Sequence, residues 1–308
     1  MRSFQALLLA MLCCCLGSLA CDRVNELKDR LLGSSTSGND VDPELEAIRS
    51  LYESGDYEGA LQRIASVTAS DPNVAEAYYY RGLCYLAKAG EPGEPVDFDA
   101  SAPLSSDEES SLEAFRRALS INPRHAPSNV GVGDLYARRV PAKPRRGNTE
   151  NPDDPYVVAL AAYQQAVTID PTLPEAQHRF GLFLERTGQL AEAEQAYRAA
   201  ADAAAVVPET APDHYLAYGK FLAGPADRLD EALDQFELAQ MFRQDDLSIQ
   251  QEMAMVHARI GLRHFEKQEY MLAQSELEDA VGMFPDPNIP EAQKATDALN
   301  QLRSIRRR

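Results

Sequence analysis

The chain has 308 residues, a net charge of −18, 44% hydrophobic residues and no tryptophan. The apolar share is enough for a sizeable core, while the excess of acid argues against nucleic acid as a partner, because phosphate contacts call for a basic face. An acidic body is also ill suited to lie flat on anionic lipid, so the charge describes a solvated, self-repelling molecule.

Residues 1–20 stand apart from the rest. Arg2 gives a minimal positive start, Leu7 to Leu16 is an apolar run in which Cys13, Cys14 and Cys15 act as small hydrophobes, and Ser18-Leu19-Ala20 ends in small residues. That is the pattern of a removable export signal. The run is shorter than the ~20 residues a membrane-spanning helix needs. With Cys21 next, the stretch resembles a bacterial lipoprotein signal; Leu19 and Ala20 fit the box before the acceptor cysteine, and Ser18 departs from the aliphatic residue usual there. The resemblance implies cleavage before Cys21 and acylation of its thiol. Secretion after Ala20 and an uncleaved anchor are the alternatives. Once the signal is removed only Cys21 and Cys84 remain, so an acylated Cys21 leaves no internal disulfide, and Cys84 reads as a buried free thiol. Residues 21–42 open with the charged "RVNELKDRLLG" and continue as "GSSTSGNDVD", a flexible tether.

From residue 43 a beat sets in. Ala159, Tyr163 and Ala166 reappear 34 residues later as Ala193, Tyr197 and Ala200, a small-large-small series at helical spacing. The series recurs six times, in units near 41–74, 75–125, 126–173, 174–210, 212–245 and 254–287. Its bulky members are Ile64, Phe115, Tyr163, Tyr197, Phe236 and Leu277. Upstream of each stands a small residue suited to close helix approach: Gly82, Gly133, Gly181, Gly219 and Gly261, with Ile48 in the first unit. Pro72, Pro123, Pro171 and Pro285 close four units, since proline cannot continue a helix. One helical hairpin cannot bury its apolar face alone, so a fixed period of this length predicts stacked hairpins with one continuous core.

The segments "ESGDYEGALQRIASVTASDP" (53–72) and "AYYYRGLCYLAKAG" (77–90) resemble the second and first halves of a tetratricopeptide repeat (TPR). The resemblance covers roughly 41–287, with Glu44, Asn129 and Gln177 departing from the bulky residue usual early in the first helix. It implies an all-α, right-handed α-solenoid of about six hairpins. It also implies that the first helix of each unit, helix A, lines the concave side and meets a protein or peptide partner. Carried over residue by residue, the groove positions are Arg49, Tyr52, Tyr79, Leu83, Leu86, Val130, Asp134, His178, Leu182, Arg186, Leu216, Lys220, Met255, Leu262 and Phe265.

Two units are interrupted between their helices. Residues 91–106 are rich in Pro, Gly and acid, and residues 139–153 start basic with Lys143, Arg145 and Arg146; both should leave the same edge of the array. An extra stretch, Asp245 to Met253, lengthens the connection into the last unit, and 288–308 form a capping helix striped with Ala292, Ala295, Leu299 and Leu302 and ending in a basic tail.

Signatures of chemistry are few. No HExxH, GxSxG, phosphate-loop or CxxC signature is present. His257 and His264 lie on one helix face near Glu266, which offers too few convergent ligands for zinc and makes a metal-dependent hydrolase the weak competitor. The expectation is a non-enzymatic TPR adaptor without cofactor, exported to a bacterial envelope and anchored through lipid at Cys21, or secreted there in soluble form. A fixed structural subunit that makes contact through its insertions is the nearer alternative.

Overall fold

A computed structural model of the protein describes residues 42–90, 103–140, 151–205, 207 and 210–306. The signal, Cys21, the tether, most of both insertions and the last two arginines lie outside these residues. The chain divides into two compact units, 1–46 and 47–308. Only residues 42–46 of the first are described; all of the repeats but the start of the first lie in the second.

Thirteen helices and no strand occur among the described residues: α1 Pro43–Glu53, α2 Tyr57–Ser70, α3 Ala75–Lys88, α4 Ser106–Ile121, α5 Ala126–Ala137, α6 Pro155–Ile169, α7 Pro174–Arg186, α8 Leu190–Ala204, α9 Ala211–Ala223, α10 Leu229–Phe242, α11 Leu247–Glu266, α12 Tyr270–Met283 and α13 Pro290–Arg306. Local chemistry sets the boundaries. Ser105 and Glu108 form a reciprocal capping box at α4, and Asp56, Asp154 and Asp246 cap α2, α6 and α11 by accepting first-turn N–H groups. Between units a side-chain turn recurs. The carboxylate or amide oxygen of Asp71, Asn122, Asp170 and Asp286 accepts the N–H two residues on, at 2.9 to 3.0 Å, with a proline between. In the last of these the proline is Pro287, just beyond the expected closing residue Pro285. The expected long connection at 245–253 is instead largely helix: Asp246 caps α11, which absorbs 247–253 into a 20-residue helix.

Helix pairs α3–α4, α5–α6, α7–α8, α9–α10 and α11–α12 make the most extensive packing, and each second helix then packs on the first helix of the next pair. The first helices also touch one another in series, α3 to α5 to α7 to α9 to α11, whereas no such packing joins one second helix to the next among the described residues. An inner layer of A helices and an outer layer of B helices result, as expected for the solenoid.

The repeating glycines are where the layers meet. A Cβ on Gly82 would lie 2.4 Å from the Phe115 ring, on Gly133 2.7 Å from Tyr163, on Gly219 2.4 Å from Phe236 and on Gly261 2.7 Å from Leu277. Each bulky B-helix residue thus seats against the glycine of its own A helix. Phe115 is held from both sides, because Gly131 of the next A helix also leaves room only for hydrogen, 2.4 Å from the ring. Ser111, where other units have alanine, is fully buried and donates to the Gly82 carbonyl at 2.9 Å. Half-buried Tyr136, Leu160, Phe180 and Met283 each pack against two neighbouring clusters, so the core runs unbroken from α3 to α13. At its end Ala292, Ala295, Leu299 and Leu302 are all buried against Leu277 and Ala280, making α13 the predicted cap. Cys84 is fully buried, and burial pushes its thiol up to about 11.

Candidate functional site: the inner face of α5, α7 and α9

Arginines brace the inner layer. Arg138, capping α5, donates to the carbonyls of Leu86 (3.0 Å) and Gly90 (2.7 Å) at the end of α3. Arg186, five residues after its packing glycine as Arg138 is, donates to the Ala137 carbonyl at the end of α5. Arg259 of α11 does the same for Ala223 of α9 at 2.5 Å. Each donates to carbonyls at or just past a helix C-terminus, that of Ala137 also accepting the Val140 N–H at 3.1 Å, and places a cation at the negative end of the dipole. The roots of the two insertions are drawn together by the same means: Arg139 reaches Glu108 at 3.3 Å while Arg138 holds Gly90.

Two cavities open on this layer. One, of about 550 Å³, lies between α5 and α7 and is lined by Asp134, Arg138, Arg179 and Arg186 among others. Its neighbour, of about 380 Å³, lies between α7 and α9 around His178, Asp213, Leu216 and Lys220. They share Leu182 and Glu185, so they form one stepped groove. Leu182, at the step, remains 43% exposed.

The groove is charged, and its charges are tied down. Asp134 accepts the Tyr163 hydroxyl at 2.6 Å, and burial holds its carboxyl above the ordinary range although Arg179 stands 3.8 Å away. Glu175 is held below that range, since burial is outweighed by the Arg179 guanidinium at 2.6 Å. Lys220 pairs with Glu252 at 2.9 Å, and Glu185 accepts the Tyr197 hydroxyl at 2.6 Å.

Of the fifteen groove positions expected from sequence, Asp134, His178, Leu182, Arg186, Leu216 and Lys220 line these cavities. Arg49 is exposed and pairs with Glu53; Tyr52 rests on Tyr80, and Tyr79 on Phe115 and His125. Leu83 is half-buried against the cluster around Phe115. Leu86 and Val130 are corrected: at 4% and 5% exposure they belong to the core, because the next A helix closes over them. Met255, Leu262 and Phe265 pack half-buried against the terminal cluster, because α13 takes the place of a further A helix. Arg138, Arg179, Glu185 and Asp213 were not anticipated. Arg138 was findable, as it shares the register of Arg186; Arg179 points into the groove only because its neighbours Glu175 and Asp134 draw it there.

The histidines of the weak competitor face separate partners. His257 bonds Glu276 at 2.8 Å and His264 bonds Glu269, and no group of three or more metal-ligating side chains forms among the described residues. No described helix is long and apolar enough to cross a membrane.

A tetratricopeptide-repeat family model matches residues 45–94. The fold is a TPR solenoid. It is similar to TTC0263, a thermophilic TPR protein of Thermus thermophilus, at 20% identity over 67% of this chain and 93% of that one, with a TM-score of 0.50. It is similar to PilW, a type IV pilus biogenesis factor, at 17% identity over 84% and 100% with a TM-score of 0.51. A human IFIT1 dimer with PPP-AAAA aligns at 16% identity with a TM-score of 0.57, covering 85% of this chain and 54% of that one. No curated protein matches the sequence. In TPR terms the groove sits on the A helices of the third to fifth repeats.

Proposed function

We propose that the chain is a TPR adaptor that is exported, anchored to a membrane of the bacterial envelope through lipid at Cys21, and binds a protein or peptide segment in the α5–α7–α9 groove. It works by equilibrium binding: the groove is preformed, and the anchor raises the effective concentration of whatever it holds. The observation that carries this reading is the pair of adjoining cavities meeting at Leu182, an apolar side chain left open between the two recesses. An apolar side chain flanked by recesses and rimmed by oriented polar groups can take the anchor side chains of a bound segment. Export and anchoring rest on residues 1–21 alone.

The test is affinity capture of the tagged full-length protein from solubilised membranes. Leu182→Asp together with Lys220→Glu is expected to lose at least tenfold of the co-purifying partner, and deletion of 91–106 to retain it. The reverse result would place the contact on the insertions and end the groove reading. Cys21→Ser is expected to leave the membrane fraction; a mutant that stays there is not anchored by acylation.

A further inference from the structure

The five histidines divide by partner. His125, His257 and His264 each face a glutamate: Glu76 at 2.8 Å, Glu276 at 2.8 Å and Glu269. The other two face each other. His178 of α7 and His214 of α9 meet edge to face, with ring centroids 5.1 Å apart and planes 85° apart. His214 is 3% exposed, and its Nδ1 is buried with no hydrogen-bond partner.

The surrounding charges are committed elsewhere. On α7, Glu175 is bonded by Arg179 at 2.6 Å, and Glu185 by Tyr197 of α8 at 2.6 Å. On α9, Asp213 is held by both terminal nitrogens of Arg243, which follows α10, at 2.6 and 2.8 Å. Lys220 is paired with Glu252 of α11. The Tyr197 ring lies 6.0 Å from His178. A neutral imidazole tolerates this setting, with one ring nitrogen an acceptor that can go unbonded at modest cost. An imidazolium has two N–H donors and a full charge, and here it would meet a second imidazole and only carboxylates already bonded to arginine, Glu175 and Asp213.

We propose that the His178–His214 contact is a pH-sensitive latch between the A helices of the fourth and fifth repeats: the rings close the wall of the groove when neutral and part when protonated. His178 lines the smaller cavity, so the latch moves the groove itself. Its bearing on partner binding rests on the adaptor reading; the latch does not.

Burial holds both imidazoles below the ordinary histidine range, His178 at about 4, with Glu175 and Asp213 opposing the shift in each case and His214 and Arg179 adding to it at His178. The folded state therefore binds fewer protons than the unfolded state between pH ~6.5 and ~4. The latch contributes in full above pH ~6.5 and is lost as pH falls toward 4. For His178 alone, the ratio of folded to unfolded protein at pH 5 should drop about thirtyfold relative to neutral pH.

The experiment uses the full chain without a partner. Urea unfolding at pH 7.5 and 5.0 is compared for wild type, His178→Gln and His214→Gln. Histidine ring NMR titration follows the five imidazoles, and the absence of native tryptophan makes Leu182→Trp a sole reporter of groove opening by acrylamide quenching. The expected result is late titration of His178 and His214, increased quenching below pH ~6, and an acid loss of stability about thirtyfold smaller in His178→Gln. His178 is only half-buried, so that variant serves even where His214→Gln does not fold. Equal acid sensitivity in wild type and His178→Gln, or ordinary titration of both rings, overturns the proposal. Because the readout needs no partner, its failure is separate from failure of the adaptor reading.

Discussion

Phe115 shows how much of this molecule is decided by the absence of single atoms. Its ring is gripped by Gly82 and Gly131, each with space for hydrogen and none for carbon. Gly82→Ala should cost about 1–3 kcal/mol, the usual penalty for overpacking, outweighing alanine's better helix propensity. Gly181→Ala should be milder, because the Tyr197 ring stands 3.2 Å from the added carbon. Urea denaturation of both variants checks the order. Backbone strain makes the opposite case at Gln268. The helix-to-helix turns use a left-handed residue, supplied by Gly55 and Gly188 at φ +81° in two units but by Gln268 at φ +62° in the last. Gln268→Gly should stabilise by about 0.5–1 kcal/mol, since the Cβ clash at positive φ is removed. Asp227, at φ +53°, is different: its carboxylate binds Arg259 and Arg263, so glycine there would lose both contacts.

At the scale of elements, what matters is which helix lacks a neighbour. The TPR array ends because α13 covers Leu277 and Ala280 with small residues and leucines and turns a polar face outward. Ending the chain after Asn288 would uncover that seam. Burying a leucine contributes about 1.5–3 kcal/mol, so losing Leu299 and Leu302 together with the faces beneath them should cost at least about 3 kcal/mol. Denaturation combined with light scattering should show a less stable, self-associating protein. A truncated chain as stable and monodisperse as the parent would mean that α13 is not the cap. The same logic explains why three expected groove positions are half-buried. Met255, Leu262 and Phe265 hold inner-face register, but in the last repeat that face meets α13 rather than solvent.

Across the whole array, the hairpins, the packing glycines and the cap were all legible in the chain, because one spacing rule repeats six times and each copy checks the others. Val67, which holds in the first unit the place of Ala166 and Ala200, is half-buried and the one weak member of the series. The groove was legible only in part. Helix register marks inner-face positions, and the expected Leu182, His178 and Lys220 do line the two cavities. It does not show where one A helix closes over its neighbour, as at Leu86 and Val130, nor where a gap remains, as around Leu182. The acid response belongs to this scale too, since a latch between the fourth and fifth repeats acts on a seam that every other repeat shares.

What the sequence determined by itself is the repeat: small residues facing large ones at helical spacing dictate paired helices, and pairs that cannot bury their faces alone must stack. What only the tertiary structure decided is how neighbouring repeats meet. The Arg138 and Arg186 braces, the cavities either side of Leu182 and the contact between His178 and His214 all join residues of different hairpins. Their geometry depends on the angle at which one hairpin lies on the next, and no periodicity within a hairpin encodes that angle.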